Sequence, residues 1–389
     1  MSSYIPYGRQ NIMQADIEAV VEVLKSDWIT QGPAIPDFEK VVAEYCGAKY
    51  AVAVTSATAA LHIACLAAEL GPDDWLWTSS NTFVASANCG LYCGAHIDFV
   101  DIDPKTYNLS VTALEQKLIQ AEKAGKLPKI VVPVHLTGQS CEMECIAALA
   151  RSYGFTIIED ASHAIGATYQ GQPIGNCCFS EMTVFSFHPV KIITTGEGGM
   201  VLTNNDALYE HLIRLRTHGI TRQDELMTEA SHGPWYYQQL ELGFNYRITD
   251  LQAALGCSQM QRLDEFVTRR RYLAARYEEL LSDLPVTLPW QHPDTISSWH
   301  LYVIRLHLEK IDISHRQVFE ELRKAGIGVN LHYIPVHIQP YYQNLGFRWG
   351  DCPEAEQYYR EAISIPLYYD LTTGDQDKVV SALQDSLKH

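Results

Sequence analysis

The run Tyr50-Ala-Val-Ala-Val-Thr-Ser-Ala-Thr-Ala-Ala-Leu-His-Ile-Ala-Cys-Leu-Ala-Ala-Glu69 decides the fold. Its first five residues form a short apolar run, the length of one strand covered on both faces. Hydroxyl side chains in Thr55-Ser56-Ala57-Thr58 stand where a helix starts, and the small apolar residues behind them predict a helix over 57–69. Strand, tight turn and helix in that order are the repeating unit of an α/β sheet.

Read outward, the alternation continues. Strands are expected at 75–78, 97–100, 130–134 and 155–158, with helices at 83–93, 111–123 and 141–153. The strands lack a clean in/out pattern, so both faces are expected to be covered and the sheet to be mostly parallel. Further strands are predicted at 184–186 and 200–203, and a helix at 205–217. Towards the N-terminus, 14–26 reads as a helix with Ile17, Val20, Val21 and Leu24 on one face. Thr30-Gln-Gly-Pro33 interrupts it, and a second helix ends at Cys46-Gly47, where glycine suits a C-terminal stop. The segment 219–247 is irregular, and helical patterns run from Thr249 to about 283. Beyond Leu288-Pro289 and Pro293, strands at 299–306 and 327–333 alternate with helices at 314–325, 354–363 and 373–387. The expected organisation is a large domain over 1–283, including the N-terminal segment and the long helices, and a smaller α+β domain over 284–389.

Composition narrows the function. With 47% hydrophobic and 19% charged residues, the chain is neither disordered nor fibrous. Its formal charge of −17 makes it a poor general binder of nucleic acid or of an anionic membrane, although a locally basic pocket can still hold an anion. No basic stretch followed by an apolar one opens the sequence, so a cytoplasmic location is expected. The charge-free stretch 51–68 and the nearly charge-free 75–98 are interrupted by hydroxyl and amide residues, which fits buried strand–turn–helix units rather than membrane spans. Cys89/Cys93 and Cys141/Cys145 have the i,i+4 spacing of one helix face, but no second Cys/His pair stands nearby at ligand spacing, so reduced, core-filling cysteines are expected and no metal.

Three groups fall at the expected carboxyl ends of strands, where open α/β sheets bind ligands. Thr55–Thr58 combines hydroxyl donors with a helix N-terminus, which suits phosphate; a plain N-cap is the competing reading. Asp160 follows the apolar Thr156-Ile-Ile158 and precedes Ser162-His163; a buried carboxylate there needs a cationic partner, and a capping role competes. Lys191, in Ser186-Phe-His-Pro-Val-Lys191 before Thr194-Thr-Gly-Glu-Gly-Gly199, has few charged neighbours and fits a desolvated, reactive amine; a solvated surface lysine is the alternative. Pyridoxal 5′-phosphate requires this set together: a lysine for its aldehyde, a carboxylate for its ring nitrogen, a helix N-terminus for its phosphate, and an aromatic such as Phe83 for its ring face.

Glu159-Asp-Ala-Ser-His-Ala164, Ser186-Phe-His-Pro-Val-Lys191, Thr195-Gly-Glu-Gly-Gly199 and Leu242-Gly-Phe-Asn-Tyr-Arg-Ile-Thr-Asp-Leu-Gln-Ala-Ala-Leu-Gly256 resemble the sugar-nucleotide aminotransferases of the DegT/DnrJ/EryC1/StrS type. The resemblance runs from Gln31-Gly-Pro33 to the final helix. It implies the aspartate-aminotransferase fold (fold type I) for the large domain. Segments 78–87 and 233–238 and Leu331-His-Tyr-Ile-Pro335 are most similar to the branch serving pseudaminic acid synthesis. That branch moves the amino group of L-glutamate to C4 of a UDP-linked 4-keto-6-deoxy-N-acetylhexosamine.

The resemblance also implies roles. Lys191 carries the cofactor and shuttles the proton, and Asp160 pairs with the ring nitrogen. Ser56, Ala57, Thr58, Phe83, His163 and Ser186 complete the cofactor site. Asn245 reaches the phosphate in the neighbouring subunit, so a homodimer with shared sites is expected. Tyr7, Asp27, Trp28, Ile29, Thr30, His332, Tyr333, Ile334 and Pro335 line the substrate pocket, to which Ser56, Ser186, Asn245 and Arg247 also contribute. From the residues alone, Asn245 equally fits a turn, and Arg247 is either a cation for a diphosphate or a partner of Asp250. Thr55 stands where related chains often carry Asn, and keeps a donor.

Three other functions compete. The related dehydratases carry His where this chain has Lys191. A non-catalytic sensor on the same fold tolerates loss of Asp160 or Lys191, and both are present. A Rossmann oxidoreductase needs a GxGxxG after a strand, and none occurs.

Overall fold

A computed structural model describes residues 4–388. The large domain is a seven-stranded sheet built from β1 (Tyr50–Val54), β2 (Trp75–Ser79), β3 (His96–Val100), β4 (Ile130–Val132), β5 (Thr156–Asp160), β6 (Met182–Ser186) and β7 (Gly199–Thr203). Its order is β1-β7-β6-β5-β4-β2-β3. Only β7 runs against its neighbours, pairing antiparallel with both β1 and β6. The remaining pairings, β5 with β6 and β4, and β2 with β4 and β3, are parallel.

The missing in/out pattern has a direct explanation. Ala51, Ala53, Trp77, Val131, Ile157, Phe185 and Leu202 enter one apolar core, while Val52, Val54, Leu76, Val132, Ile158, Val184 and Val201 enter another on the opposite face. Successive strand residues alternate between two cores rather than between core and water. α3 (Ala57–Ala67) and α4 (Ala85–Tyr92) cover one face; α2 (Ala34–Cys46) and α6 (Met143–Tyr153) cover the other.

In the small domain, β8 (Val286–Thr287), β9 (Tyr302–Leu306) and β10 (Ala362–Ile365) form an antiparallel sheet. Its core takes in Leu273, Tyr277 and Leu281 from helix α9 (Leu263–Leu281), whose first turns (Leu263, Phe266, Val267) pack in the large domain. Ile5 also joins the small-domain core and bridges to Ile327. The two domains are therefore stitched by a shared helix and by the N-terminal segment.

Two expectations are corrected. The strand expected at 327–333 is a loop that touches the sheet by one bridge, Asn330 to Ser364, and the N-terminal segment by another, Ile5 to Ile327. The Asn330 side chain takes the backbone N–H of Leu331, which ends the ladder. β10 occupies the third sheet position instead; its four residues follow a helix directly and are too short to show a period. The strand expected from 299 starts at Tyr302, because the N–H of His300 is taken by the carbonyl of Thr137 (2.8 Å). Finally, α1 (Gln14–Lys25) is helical as expected, yet Ile17 and Leu24 on its apolar face are 49% and 58% exposed in the single chain.

Candidate active site

The carboxyl ends of β1, β5 and β6 and the amino end of β7 open onto one cavity of about 720 Å³, ample for a cofactor and a small substrate. α3 begins at its edge. Ser56 is the N-cap, and its hydroxyl accepts the N–H of Ala59 at 3.1 Å. In the first helical turn, the N–H groups of Ala57 and Thr58 have no intrahelical acceptor and face the site where an anion is stabilised. Gly199 lies against this turn: a Cβ there would stand 2.4 Å from the carbonyl carbon of Ser56 and 2.5 Å from the nitrogen of Ala57.

Asp160 ends β5 and is 5% exposed. Its Oδ2 accepts the Ser86 hydroxyl at 2.6 Å; its Oδ1 accepts the Ser162 N–H at 3.1 Å and the Ser162 hydroxyl at 2.5 Å. The carboxylate is thereby fixed in orientation, and Oδ2, with a single donor, keeps a lone pair for a further partner. Behind it, on the other face of β5, Glu159 is bonded to His135 (2.6 Å), Ser180 and Thr183.

Lys191 sits on the loop joining β6 to β7. That loop is closed by Phe187 N–H to Gly198 O (2.9 Å), Thr195 N–H to Phe187 O (3.0 Å) and the Thr194 hydroxyl to Phe187 O (2.9 Å). Burial of the amine lowers its pKa to about 8, against the opposing attraction of Asp160. The lysine is accordingly far easier to deprotonate than a surface one.

Three histidines surround this amine. His163 accepts the Thr137 N–H at Nδ1 (3.2 Å), so its Nε2–H faces the Tyr333 hydroxyl at 3.1 Å. His332 is bonded to the Ser364 hydroxyl (2.8 Å) and to the Asn330 amide (3.3 Å). Burial, and then the charge of Lys191, hold His163 well below the usual range and push His332 down to about 3. The imidazoles are neutral, so the positive charge of the cavity is concentrated on Lys191.

Ser56, Ala57, Thr58, Phe83, Asp160, His163, Ser186 and Lys191 all line the cavity, as do Tyr7, His332 and Tyr333. Asn245 and the Asp27–Thr30 segment do not: they are exposed on the surface of the single chain. Arg247 pairs its backbone with Val54 and borders a separate depression of about 290 Å³ beside Arg216 and Glu39. Arg247 is not the partner of Asp250, whose carboxylate instead accepts the N–H groups of Gly32 (2.8 Å) and Ala34 (3.0 Å). Ile334 is exposed and Pro335 buried; neither borders the cavity.

Ser86, Ser162, Asn330 and His300 also serve the site and escaped the sequence reading. Ser162, two residues after a strand-terminal aspartate, carried a local signal of side-chain-to-backbone turn chemistry. Ser86 and His300 carried none, because their partners are distant in the chain. Among the described residues, no cluster of three His, Cys, Asp or Glu side chains is arranged for a metal ion, and no helix is long and apolar enough to cross a membrane.

A lysine, a strand-end carboxylate and a phosphate-type helix N-terminus on this sheet define a fold type I, pyridoxal-phosphate-dependent aminotransferase. The chain belongs to the DegT/DnrJ/EryC1/StrS aminotransferase family, which matches residues 10–384, and is a sugar aminotransferase. It is 39% identical over 388 residues to the spore coat polysaccharide biosynthesis protein SpsC of Bacillus subtilis, covering 99% of this chain and 97% of the relative. Among solved structures it resembles Helicobacter pylori PseC, an aminotransferase involved in pseudaminic acid biosynthesis (TM-score 0.89, 30% identity, 99% and 100% of the two chains). It also resembles the pyridoxal-phosphate form of the Streptococcus pneumoniae sugar aminotransferase Spr1654 (TM-score 0.88, 28% identity, 99% of each chain).

Proposed function

We propose that this enzyme transfers the amino group of L-glutamate to C4 of a UDP-linked 4-keto-6-deoxy-N-acetylhexosamine, giving UDP-4-amino-4,6-dideoxy-N-acetyl-β-L-altrosamine for pseudaminic acid. The observation that carries the transaminase chemistry is a lysine lowered to about 8 in the same cavity as a fixed, buried carboxylate and a helix N-terminus. The likeness to PseC supports the sugar.

The residues fit pyridoxal 5′-phosphate. The N–H groups of Ala57 and Thr58 with the hydroxyls of Ser56, Thr58 and Ser186 bind its phosphate. The close approach of Gly199 to that turn, which any side chain would obstruct, shapes the cradle. Phe83, which lines the cavity, would stack on the cofactor ring. Asp160, held by Ser86 and Ser162, keeps a proton on the ring nitrogen. When bound, the cofactor carries the amino group between substrates and withdraws electrons from the reacting carbon. Lys191 Nζ, neutral when free, takes a proton from one carbon and returns it to another. His163 keeps Tyr333 oriented at the cavity wall. Tyr7, His332 and Tyr333 line the wall against the sugar nucleotide.

The working unit is a homodimer. Asn245 reaches across to the phosphate in the neighbouring subunit, and Arg247 supplies a cation for the diphosphate. The exposed Asp27–Thr30 segment and the bare apolar face of α1 support this assembly, since both sit at the surface of one chain.

The test is incubation of the holoenzyme with glutamate and a panel of 4-keto UDP-sugars, followed by identification of the amino sugar. Formation of the 4-amino altrosamine product supports the assignment. The likeness to SpsC favours a second reading, another keto sugar destined for a surface polysaccharide, and preferential amination of a different member of the panel would establish it.

A further inference from the structure

His300 is the one buried imidazole of the cavity whose ring the protein leaves unpaired. His163 and His332 each have both ring nitrogens occupied by protein groups. His300 is 3% exposed and lines the same cavity, its ring centroid 4.4 Å from that of His163. Its Nδ1 is enclosed and has no hydrogen-bond partner; no side chain hydrogen-bonds the ring, and Nε2, which is not enclosed, is the nitrogen a ligand in the cavity can reach.

The backbone around it is held with unusual thoroughness. The N–H of His300 bonds to Thr137 O at 2.8 Å, and Ser298 N–H to Gly138 O at 3.1 Å. The Ser298 hydroxyl bonds to His163 O at 2.9 Å. From behind, the buried Arg270 donates through one nitrogen to the carbonyls of Trp299 (3.2 Å), His300 (3.2 Å) and Leu367 (2.9 Å). This arginine has no carboxylate partner, and burial lowers its pKa to about 10. A buried cation spent on three carbonyls and a buried ring left unbonded are both unfavourable in isolation. They make sense together if the ring is held ready for a ligand.

An amino-acid donor such as glutamate brings carboxylates into this cavity, where Lys191 is the only lysine and no arginine of the same chain is present among the described lining residues. The Ser162 hydroxyl and the Asn330 amide are engaged, the hydroxyls of Ser56, Thr58 and Ser186 are assigned to phosphate above, and His188 lies at the exposed edge. Burial first, and then the neighbouring His163 and Lys191, hold the His300 pKa well below the usual range, so the ring is neutral. A neutral N–H can bind a carboxylate without adding a positive charge that would depress Lys191 further.

We propose that His300 is a substrate-contacting residue that donates a hydrogen bond to a carboxylate of the amino-acid donor, with Arg270 as its positioning residue. The inference rests on the transaminase reading above. It is tested by calorimetric binding of glutarate, an unreactive dicarboxylate, to the holoenzyme, beside separate steady-state constants for glutamate and for the keto sugar. In His300→Phe, glutarate affinity falls about tenfold or more and KM for glutamate rises comparably, while KM for the keto sugar stays within about threefold. His300→Gln, which keeps an N–H donor and guards against misfolding of the first variant, recovers most of the glutarate affinity. Unchanged glutarate binding in both folded variants, or a rise in KM confined to the keto sugar, overturns the proposal. A wild-type enzyme that takes no amino group from any amino acid would instead refute the transaminase reading itself.

Discussion

On the floor of the cavity, Asp160 has both carboxylate oxygens bonded, Lys191 is carried by a loop closed on itself, and Ser56 caps its own helix. At the surface, Trp28, Trp235 and Leu242 are 57%, 72% and 78% exposed, and Asn245 is exposed although the backbone on either side of it is bonded to Leu215, Arg216 and His218. The floor is complete within one chain. The exposed region is apolar without a core to belong to, which is the condition of a surface awaiting another protein surface. In the proposed homodimer, chemistry and completion of the site would fall to different parts of the molecule.

The sharpest break of this contrast is Lys191→Ala. It should leave the fold intact by circular dichroism, abolish covalent retention of the cofactor and eliminate turnover. Measurable transamination in that variant would remove the floor's central group. Asp160→Asn should keep the cofactor but lower turnover at least tenfold, because charge-assisted contacts of this kind are worth roughly 1.5–3 kcal/mol before any gain in a dry site. A smaller fall, at full cofactor occupancy, would reduce Asp160 to a capping residue.

The same pair predicts a pH dependence. The rate at which apoenzyme captures the cofactor should rise with pH through about 8, since the protonated amine is inert and the neutral one reactive. Asp160 stabilises the ammonium form, so Asp160→Asn should move that midpoint to lower pH. A midpoint in the ordinary lysine range would mean the amine is solvated.

The surface is tested by subunit mixing. An inactive Lys191→Ala parent and a parent disabled at Asn245 should, once exchanged, give hybrids with one intact site and recover up to half of a dimer's activity. Proven exchange without recovery would confine the site to one chain. The smallest expected effect belongs to Ser86→Ala. Loss of its 2.6 Å bond to Asp160 should cost about 1 kcal/mol, seen as a severalfold fall in turnover with the keto sugar KM unchanged.

The floor was legible in the sequence because its groups stand at strand ends, where short apolar runs give way to hydroxyls, an acid or a glycine turn. Asp160 and Lys191 stood out as candidates from that position, and it was their combination with Thr55–Thr58 and Phe83 that weighed against a capping acid and a solvated lysine. Ser86 could not, because the helix that carries it meets Asp160 only after β2 and β5 have taken their places in the sheet. The loop at 327–333 was misread as a strand, since its alternating apolar residues satisfy the period while Asn330 and His332 are committed to side-chain bonds. The apolar face of α1 was visible as a pattern, but periodicity says which residues share a face and not what covers it.

The reversed strand β7 has a consequence for where the catalytic loop must run. Had it run parallel to β6, the connection would have needed a crossover of about a dozen residues or more, returning to the far end of the sheet. Any residue on that path would spend most of its length away from the ligand. Because β7 is reversed, the chain leaves β6 at Ser186 and re-enters at Gly199 on the same edge, and the two are paired residues in the ladder. Everything between them, Lys191 included, has nowhere to go but over the cavity. The inversion of a single strand thus converts a connection into a tether, and confines the amine by topology before any side chain has packed around it.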